Sequence, residues 1–316
     1  MATTHDAVLG MDFGGTNLKA ILFNSKGEIV DTYFRTSDVM QGPDQSIDKM
    51  INLVRAAAKA SKEKNLHLKT IGLGVCSPVN YAKGEIIQSS ILPGWNNIPV
   101  ATMISDEIGL PVHLENDTNA ALLGEWWQGR GKHAKVIAGL SLGTGIGGGL
   151  IINGRVFQGG MGHGGEFGHI RVADGPECPC GGSGCLGRVA SATATLNRYR
   201  ELSGRNGVAV DDLMQLGKLA ASGDINAQNA IAKSADYLGQ AILAIANCLN
   251  PNIFLLTGGM AGLGDLLLDP IKQHLISAAY RTDKNQCELA SGTLGMYSGC
   301  YGSAYLALSD KKPLPE

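Results

Sequence analysis

The stretch AVLGMDFGGTNLKAILFNSKGEIV, Ala7 to Val30, decides the fold. Ala7 to Gly14 reads as an apolar strand running into a tight glycine turn, and Leu18 to Val30 as a hairpin turning at Ser25-Lys26-Gly27. The turn Asp12-Phe13-Gly14-Gly15-Thr16-Asn17 offers backbone N–H groups and a hydroxyl, with a carboxylate at its lip. That set of groups suits phosphate oxygens and Mg²⁺. It fits neither G-x-x-x-x-G-K-[ST] nor G-x-G-x-x-G, so the P-loop and Rossmann readings fall away. Taken alone, the stretch is equally an ordinary entry to a β-hairpin.

A second stretch repeats the plan. In VIAGLSLGTGIGGGLIINGRVFQGG, Val136 to Gly160, an apolar strand meets Gly143-Thr144-Gly145 and a hairpin follows, turning at Asn153-Gly154. Two copies of strand, Gly-Thr turn and hairpin predict a structural duplication: two similar α/β domains, each with a phosphate-gripping turn. A third glycine site lies in PNIFLLTGGMAGLGD, where a strand from Ile253 to Thr257 ends at Gly258-Gly259. More than 20 residues of helical spacing precede it, and such a turn brings bare backbone close to a flat ligand.

Between the two Gly-Thr turns lies LPVHLENDTNAALLGEWWQGRGK. A short strand, Pro111 to Leu114, runs into Glu115-Asn116-Asp117, which opens a helix. Asp117 is then either a carboxylate held at the lip of a cleft or the N-cap of that helix. Trp126 and Trp127 read as core or interface residues.

The run GHIRVADGPECPCGGSGC places Cys178, Cys180 and Cys185 within eight positions, downstream of His169. The spacing is not the C-x-x-C of a redox pair, and a disulfide framework is out of keeping with a reducing compartment. Three thiolates and one imidazole complete a tetrahedral set for structural zinc. The other reading is a glycine-rich surface loop with incidental thiols. Cys76, Cys248, Cys287 and Cys300 read as small buried hydrophobes.

Composition sets the outer bounds. The chain has 316 residues, 26 basic against 28 acidic, so its charge offers nothing to nucleic acid. Its 44 glycines are about twice the usual share, and they concentrate at the turns above. The start MATTHDAVLGMDFGG has no leader pattern, and no segment is apolar for long enough to span a membrane. The expectation is a two-domain cytoplasmic protein with no membrane or nucleic-acid partner.

MDFGGTNLKAILFN, LENDTNAALLGE, LSLGTGIGGGLIINGRVFQG, GEFGHI with CPCGGSGC, and NPNIFLLTGG together resemble, in this order and over essentially the whole chain, the ROK family. Its name covers repressors, open reading frames and kinases; its enzymes are sugar kinases of the hexokinase and actin-like superfamily. The resemblance implies a two-domain actin-like, ribonuclease H-like α/β fold with a cleft between the domains. The small domain would take residues 1–114 plus 298–316. The large one would take 115–297, with the zinc loop at 169–185.

The resemblance also implies roles. Asp12, Gly14, Gly15, Thr16 and Asn17 would form the first phosphate motif. Gly143, Thr144 and Gly145, within Leu142 to Gly147, would form the second, and Gly258 and Gly259 the adenosine-side turn. Asn116 and Asp117 match the sugar-binding pair, with Asp117 the base for the acceptor hydroxyl, O6 of a hexose. Glu166 matches a glutamate on sugar hydroxyls, and His169 a histidine touching both sugar and zinc. Ser77 and Ser89 fall on the sugar side. Lys19 matches no catalytic position. ATP, Mg²⁺ and structural Zn²⁺ are the implied cofactors, and a homodimer or homotetramer the implied assembly.

Three departures fall on the sugar side. Cys185-Leu186-Gly187 lacks the glutamate that the family carries near C1 and C2 of the sugar. Ile91 and the Cys76-Ser77-Pro78 run also differ. A kinase for a C1- or C2-modified sugar, such as an N-acetylated aminosugar, is therefore the alternative to a glucokinase-like enzyme. A sugar-binding protein without catalysis is the other. A repressor of the family would carry an N-terminal helix-turn-helix, whereas here the phosphate motif begins almost at the N-terminus.

Overall fold

The computed structural model of the chain describes residues 5–88, 92–278 and 287–309. Ser89 and Ile91 lie outside the described residues. Contacts divide the chain into two compact units. One comprises Met1–His133, Gly154–Gly164 and Thr293–Glu316; the other comprises Ala134–Asn153 and Gly165–Gly292.

In the first unit β1 (Asp6–Phe13) forms an antiparallel hairpin with β2 (Asn17–Asn24), which pairs onward with β3 (Ile29–Thr36). Helix α1 (Pro43–Glu63) starts on a proline at its first turn, where the missing N–H costs nothing. It buries Ile47, Met50, Ile51, Val54 and Ala57 along one face. Strand β4 (His67–Val75) then runs parallel to β1. A small sheet follows, made of β5 (Val79–Asn80), β6 (Glu85–Gln88) and β7 (Asn96–Ile98). Helix α2 (Val100–Ile108) leads to β8 (Val112–Asn116), parallel to β4, and the chain passes directly into α3 (Asp117–Gln128). The sheet order is β3-β2-β1-β4-β8.

Strand β1 is buried on both faces, as a central strand covered on both sides must be. Leu9, Met11 and Phe13 enter the main core of this unit, where the buried Trp95 ring meets Phe13 at 5.2 Å. Val8 points the other way.

The second unit repeats this strand plan. Strand β9 (Val136–Leu142) makes a hairpin with β10 (Ile146–Ile152). Asn153 and Gly154 both take positive φ, as a two-residue hairpin turn of matching twist requires, and lead to β11 (Arg155–Val156). Helices α4 (Leu186–Ala190), α5 (Ala192–Ser203), α6 (Leu213–Ala221) and α7 (Ile225–Leu249) come next. Strand β12 (Ile253–Thr257) is parallel to β9; α8 (Asp265–Ala278) precedes β13 (Glu288–Ser291), parallel to β12. The order β10-β9-β12-β13 reproduces β2-β1-β4-β8, so the duplication legible in the two Gly-Thr turns extends to the sheets.

The last helix, α9 (Ser298–Leu308), belongs to the first unit and packs along α3, β1 and β4. Because α3 shares this packing, contacts keep residues 115–133 with the first unit. The grouping therefore changes after His133, not after Leu114. Trp126 and Trp127 pack against Tyr305, with Trp127 also touching Phe23 and Tyr301, as core residues do. Among the described residues no helix is long and apolar enough to cross a membrane.

Candidate active site

In the first unit the C-terminal ends of β1, β4 and β8 lie side by side, since Phe13 pairs with Val75 and Val75 with Asn116. This register brings together residues that are distant in sequence: the Asp12 to Asn17 turn, Cys76-Ser77, and Asn116-Asp117.

Asn116, not Asp117, caps α3. Its Oδ1 accepts from Thr118 N at 3.0 Å and Asn119 N at 3.3 Å, and its Nδ2 donates to the Ser77 carbonyl at 3.4 Å. The Asp117 carboxylate keeps Thr118 N at 2.7 Å and the Thr118 hydroxyl at 3.4 Å, both on Oδ1. Among the described residues Oδ2 accepts no hydrogen bond. Burial, followed by the charge of Asp12, raises Asp117 to about 7. A carboxylate at that value is suited to take a proton near neutral pH.

Asp12 is buried at the end of β1, and burial raises its pKa although Lys19 opposes the shift. The Lys19 ammonium lies 2.6 Å from Asp12 Oδ2 and donates to the Met296 carbonyl at 2.8 Å. Sequence reasoning gave this lysine no role. The antiparallel register, which sets Asp12 directly opposite Lys19, is the signal that finds it. Burial and the charges of Asp117 and Asp12 push Cys76 up to about 12, so its thiol stays protonated.

Ser77 is buried, and its Oγ donates to the Pro78 carbonyl at 3.3 Å, so it is the Ser77 carbonyl that meets Asn116. Glu115, one residue before Asn116, is fully buried. Its Oε1 accepts from the Tyr81 hydroxyl at 2.6 Å, Asn116 N at 2.9 Å and Asn119 Nδ2 at 3.1 Å. It holds the strand-to-helix junction from beneath. Its only sequence signal was a carboxylate next to the Asn-Asp pair.

In the second unit, Gly143 N donates to Gly145 O at 3.0 Å, matching the Gly14 N to Asn17 O bond of 2.9 Å in the first turn. Gly258 follows β12 with φ +83°, and a β-carbon there would lie 2.6 Å from the Leu142 carbonyl oxygen. The third glycine site is thus packed against the strand that leads into the second, and only glycine fits. At Gly145 and Gly259 a β-carbon would meet nothing within 4 Å.

The Cys-His loop closes in the same unit. Cys178 Sγ lies 3.5 Å from His169 Nδ1, and Cys180 Sγ lies 3.6 Å from Cys185 Sγ. All four ligand atoms fall within 4.8 Å of one another. Zn–S bonds near 2.3 Å would set tetrahedral sulfurs about 3.8 Å apart, so the donor set fits one zinc ion. The Gly182 N–H, with the neighbouring thiols, lowers Cys180 to about 6, while burial and the same thiols raise Cys185 to about 12. The Nε2 of His169 faces Glu166 Oε2 at 4.0 Å, so the two ring nitrogens look in opposite directions.

The ROK family model matches residues 8–310. A glucokinase of Halalkalibacterium halodurans is 33% identical over 312 residues, covering 94% of each chain. The ROK hexokinase structure from Thermus thermophilus superposes with a TM-score of 0.81 at 28% identity, covering 95% of this chain and 97% of that one. A ROK family glucokinase from Streptomyces griseus, solved with glucose and AMPPNP, gives 0.79 at 28% identity, with coverage of 95% and 99%.

Proposed function

The chain belongs to the ROK family, and from that premise we propose that it is an ATP-dependent hexose kinase with Asp117 as its base. The observation that carries the reading is the Asp117 carboxylate: raised to about 7, with Oδ2 left open among the described residues while Asn116 does the capping. Glucokinase relatives make glucose the first acceptor to test.

Phosphoryl transfer runs through a loose transition state, so positioning and charge neutralisation dominate. Asp117 orients the acceptor hydroxyl, assigned as O6, and takes its proton as O6 bonds to the γ-phosphorus, while the bond from that phosphorus to the β–γ bridging oxygen breaks and ADP leaves. Asn116 and the Glu166–His169 pair are assigned to the other sugar hydroxyls. Asp12, Gly14, Gly15, Thr16 and Asn17 are assigned to the nucleotide phosphates, with Gly143, Thr144 and Gly145 as the second grip. Gly258 and Gly259 are assigned to the adenosine side. Gly145 and Gly259 support this: φ is not positive and no neighbour crowds them, so close approach of a ligand is what their lack of a side chain serves. Mg²⁺ arrives with the nucleotide.

Zinc held by His169, Cys178, Cys180 and Cys185 would be structural, since the protein fills all four positions. It would supply rigidity to the segment that carries Glu166 and His169. We assign a homo-oligomeric assembly on family likeness.

A second reading, an acceptor altered at C1 or C2, is favoured by Gly187, where a side chain has room but none is present. The deciding experiment is an ATP-dependent assay over a panel of hexoses and aminosugars. Phosphorylation of glucose, or of a 2-substituted hexose, is the expected result; no turnover on any member defeats the kinase reading.

A further inference from the structure

Lys19 is the group that the reading above leaves without work. It stands directly opposite Asp12 in the β1–β2 ladder, so both side chains leave the sheet on the same face. That face is otherwise apolar: Val8, Ile21 and Phe23 pack there against Cys300 and Ala304 of α9. An ion pair at its edge, with both side chains at most 16% exposed, is a poor stabilising device. Desolvation offsets much of the attraction, and an apolar pair would hold as well.

The surroundings concentrate on Asp12. Gly299, in the first turn of α9, sits directly over it, since a β-carbon at 299 would lie 2.8 Å from Asp12 Cγ. The positive end of α9 therefore faces the carboxylate. Lys19 closes the arrangement from the other side, bonded to Asp12 and to the Met296 carbonyl just ahead of that helix. Its charge also couples to Asp117, which faces the negative field of Asp12. Lys19 is thus held between the Asp12 carboxylate and the chain that enters α9.

We propose that Lys19 is a positioning residue for phosphoryl transfer: it fixes the Asp12 carboxylate beneath the start of α9 and supplies its countercharge. The proposal rests on the kinase reading, and it acts through Asp12 on the phosphate side. Loss of Lys19 should therefore depress turnover and leave sugar affinity alone.

The test compares Lys19→Met, which keeps the length and removes the charge, with Lys19→Arg, which keeps the charge and the donors. Lys19→Met should lower kcat about 10²-fold, the scale set by losing one preorganised charged donor. Glucose affinity measured calorimetrically without nucleotide should change less than about threefold. Lys19→Arg should recover at least about a tenth of wild-type kcat. A crystal structure of Lys19→Met should show the Asp12 carboxylate displaced from beneath Gly299. Undiminished kcat in Lys19→Met, an equal loss of glucose affinity, or a Lys19→Arg variant no better than Lys19→Met would each overturn the proposal. A wild type inert on every hexose and aminosugar would defeat the kinase reading instead. In that case the position of Asp12 in the Lys19→Met crystal still decides, and an unmoved Asp12 refutes the role.

Discussion

Asn116 and Asp117 are adjacent, yet they divide the end of β8 between them: Asn116 satisfies the first N–H groups of α3, and Asp117 keeps one carboxylate oxygen open among the described residues. Capping by either residue was chemically possible. The backbone turn settles it, because Asn116 has the extended φ,ψ of a cap and Asp117 is already the first helical residue.

Asp117→Asn should cut kcat at least about 10²-fold while glucose binding survives, the usual scale for a positioned base. In the wild type the base must be ionised, so kcat/KM should fall as pH drops through about 7, where Asp117 titrates. The stability sign runs the other way. A carboxylate raised in the folded state costs stability as pH climbs from its ordinary value, 3.8, to about 7. Asp117→Asn should therefore melt about 2–4 °C higher at pH 8, the shift expected for roughly 1 kcal/mol. Wild-type turnover in this variant would remove Asp117 from the mechanism.

The Cys-His loop predicts about one zinc per chain by elemental analysis, since four donors converge within 4.8 Å. Cys180→Ser should lose zinc and sugar affinity together, because His169 meets the thiol cluster through Nδ1 and turns its other ring nitrogen towards Glu166. Normal phosphorylation by metal-free protein would show that the loop holds its shape unaided.

At Gly187 a β-carbon would meet the Gly168 carbonyl at 3.4 Å and Ile146 N at 3.5 Å, near-ordinary contacts, so Gly187→Glu should fold. A glutamate there should favour glucose over 2-substituted and 1-deoxy hexoses, through charged hydrogen bonds worth about 1.5–3 kcal/mol. The readout is kcat/KM across those sugars for both proteins. If the ranking is unchanged, Gly187 is a turn residue and nothing more.

Glu125 is fully buried in α3 and accepts four hydrogen bonds, from Arg130 N, Thr293 N, the Thr293 hydroxyl and Leu294 N. Glu125→Ala strands three backbone N–H groups and should cost about 3 kcal/mol or more. The melting temperature should fall by roughly 6–12 °C. A smaller loss for Glu125→Gln, which keeps one carbonyl acceptor, would separate lost hydrogen bonds from lost volume. A drop of only a degree in Glu125→Ala would mean that water replaces the carboxylate.

The amino-acid sequence by itself determined the features that nearest neighbours decide. The strand at Ile253–Thr257, the helix at Ile225–Leu249 before it and the hairpin at Asn153-Gly154 all follow from local apolar spacing and turn chemistry. So do the two Gly-Thr turns, whose repetition announced the duplicated sheet, and the close spacing of His169 with Cys178, Cys180 and Cys185. Tertiary structure decided what depends on partners far along the chain. Lys19 reaches a carbonyl 277 residues away, and Glu125 bonds Thr293 at a separation of 168. No local pattern encodes those meetings. They exist because α9 returns to pack on α3 and β1, and that packing turns a solvent-suited lysine and glutamate into a half-buried countercharge and a buried clasp.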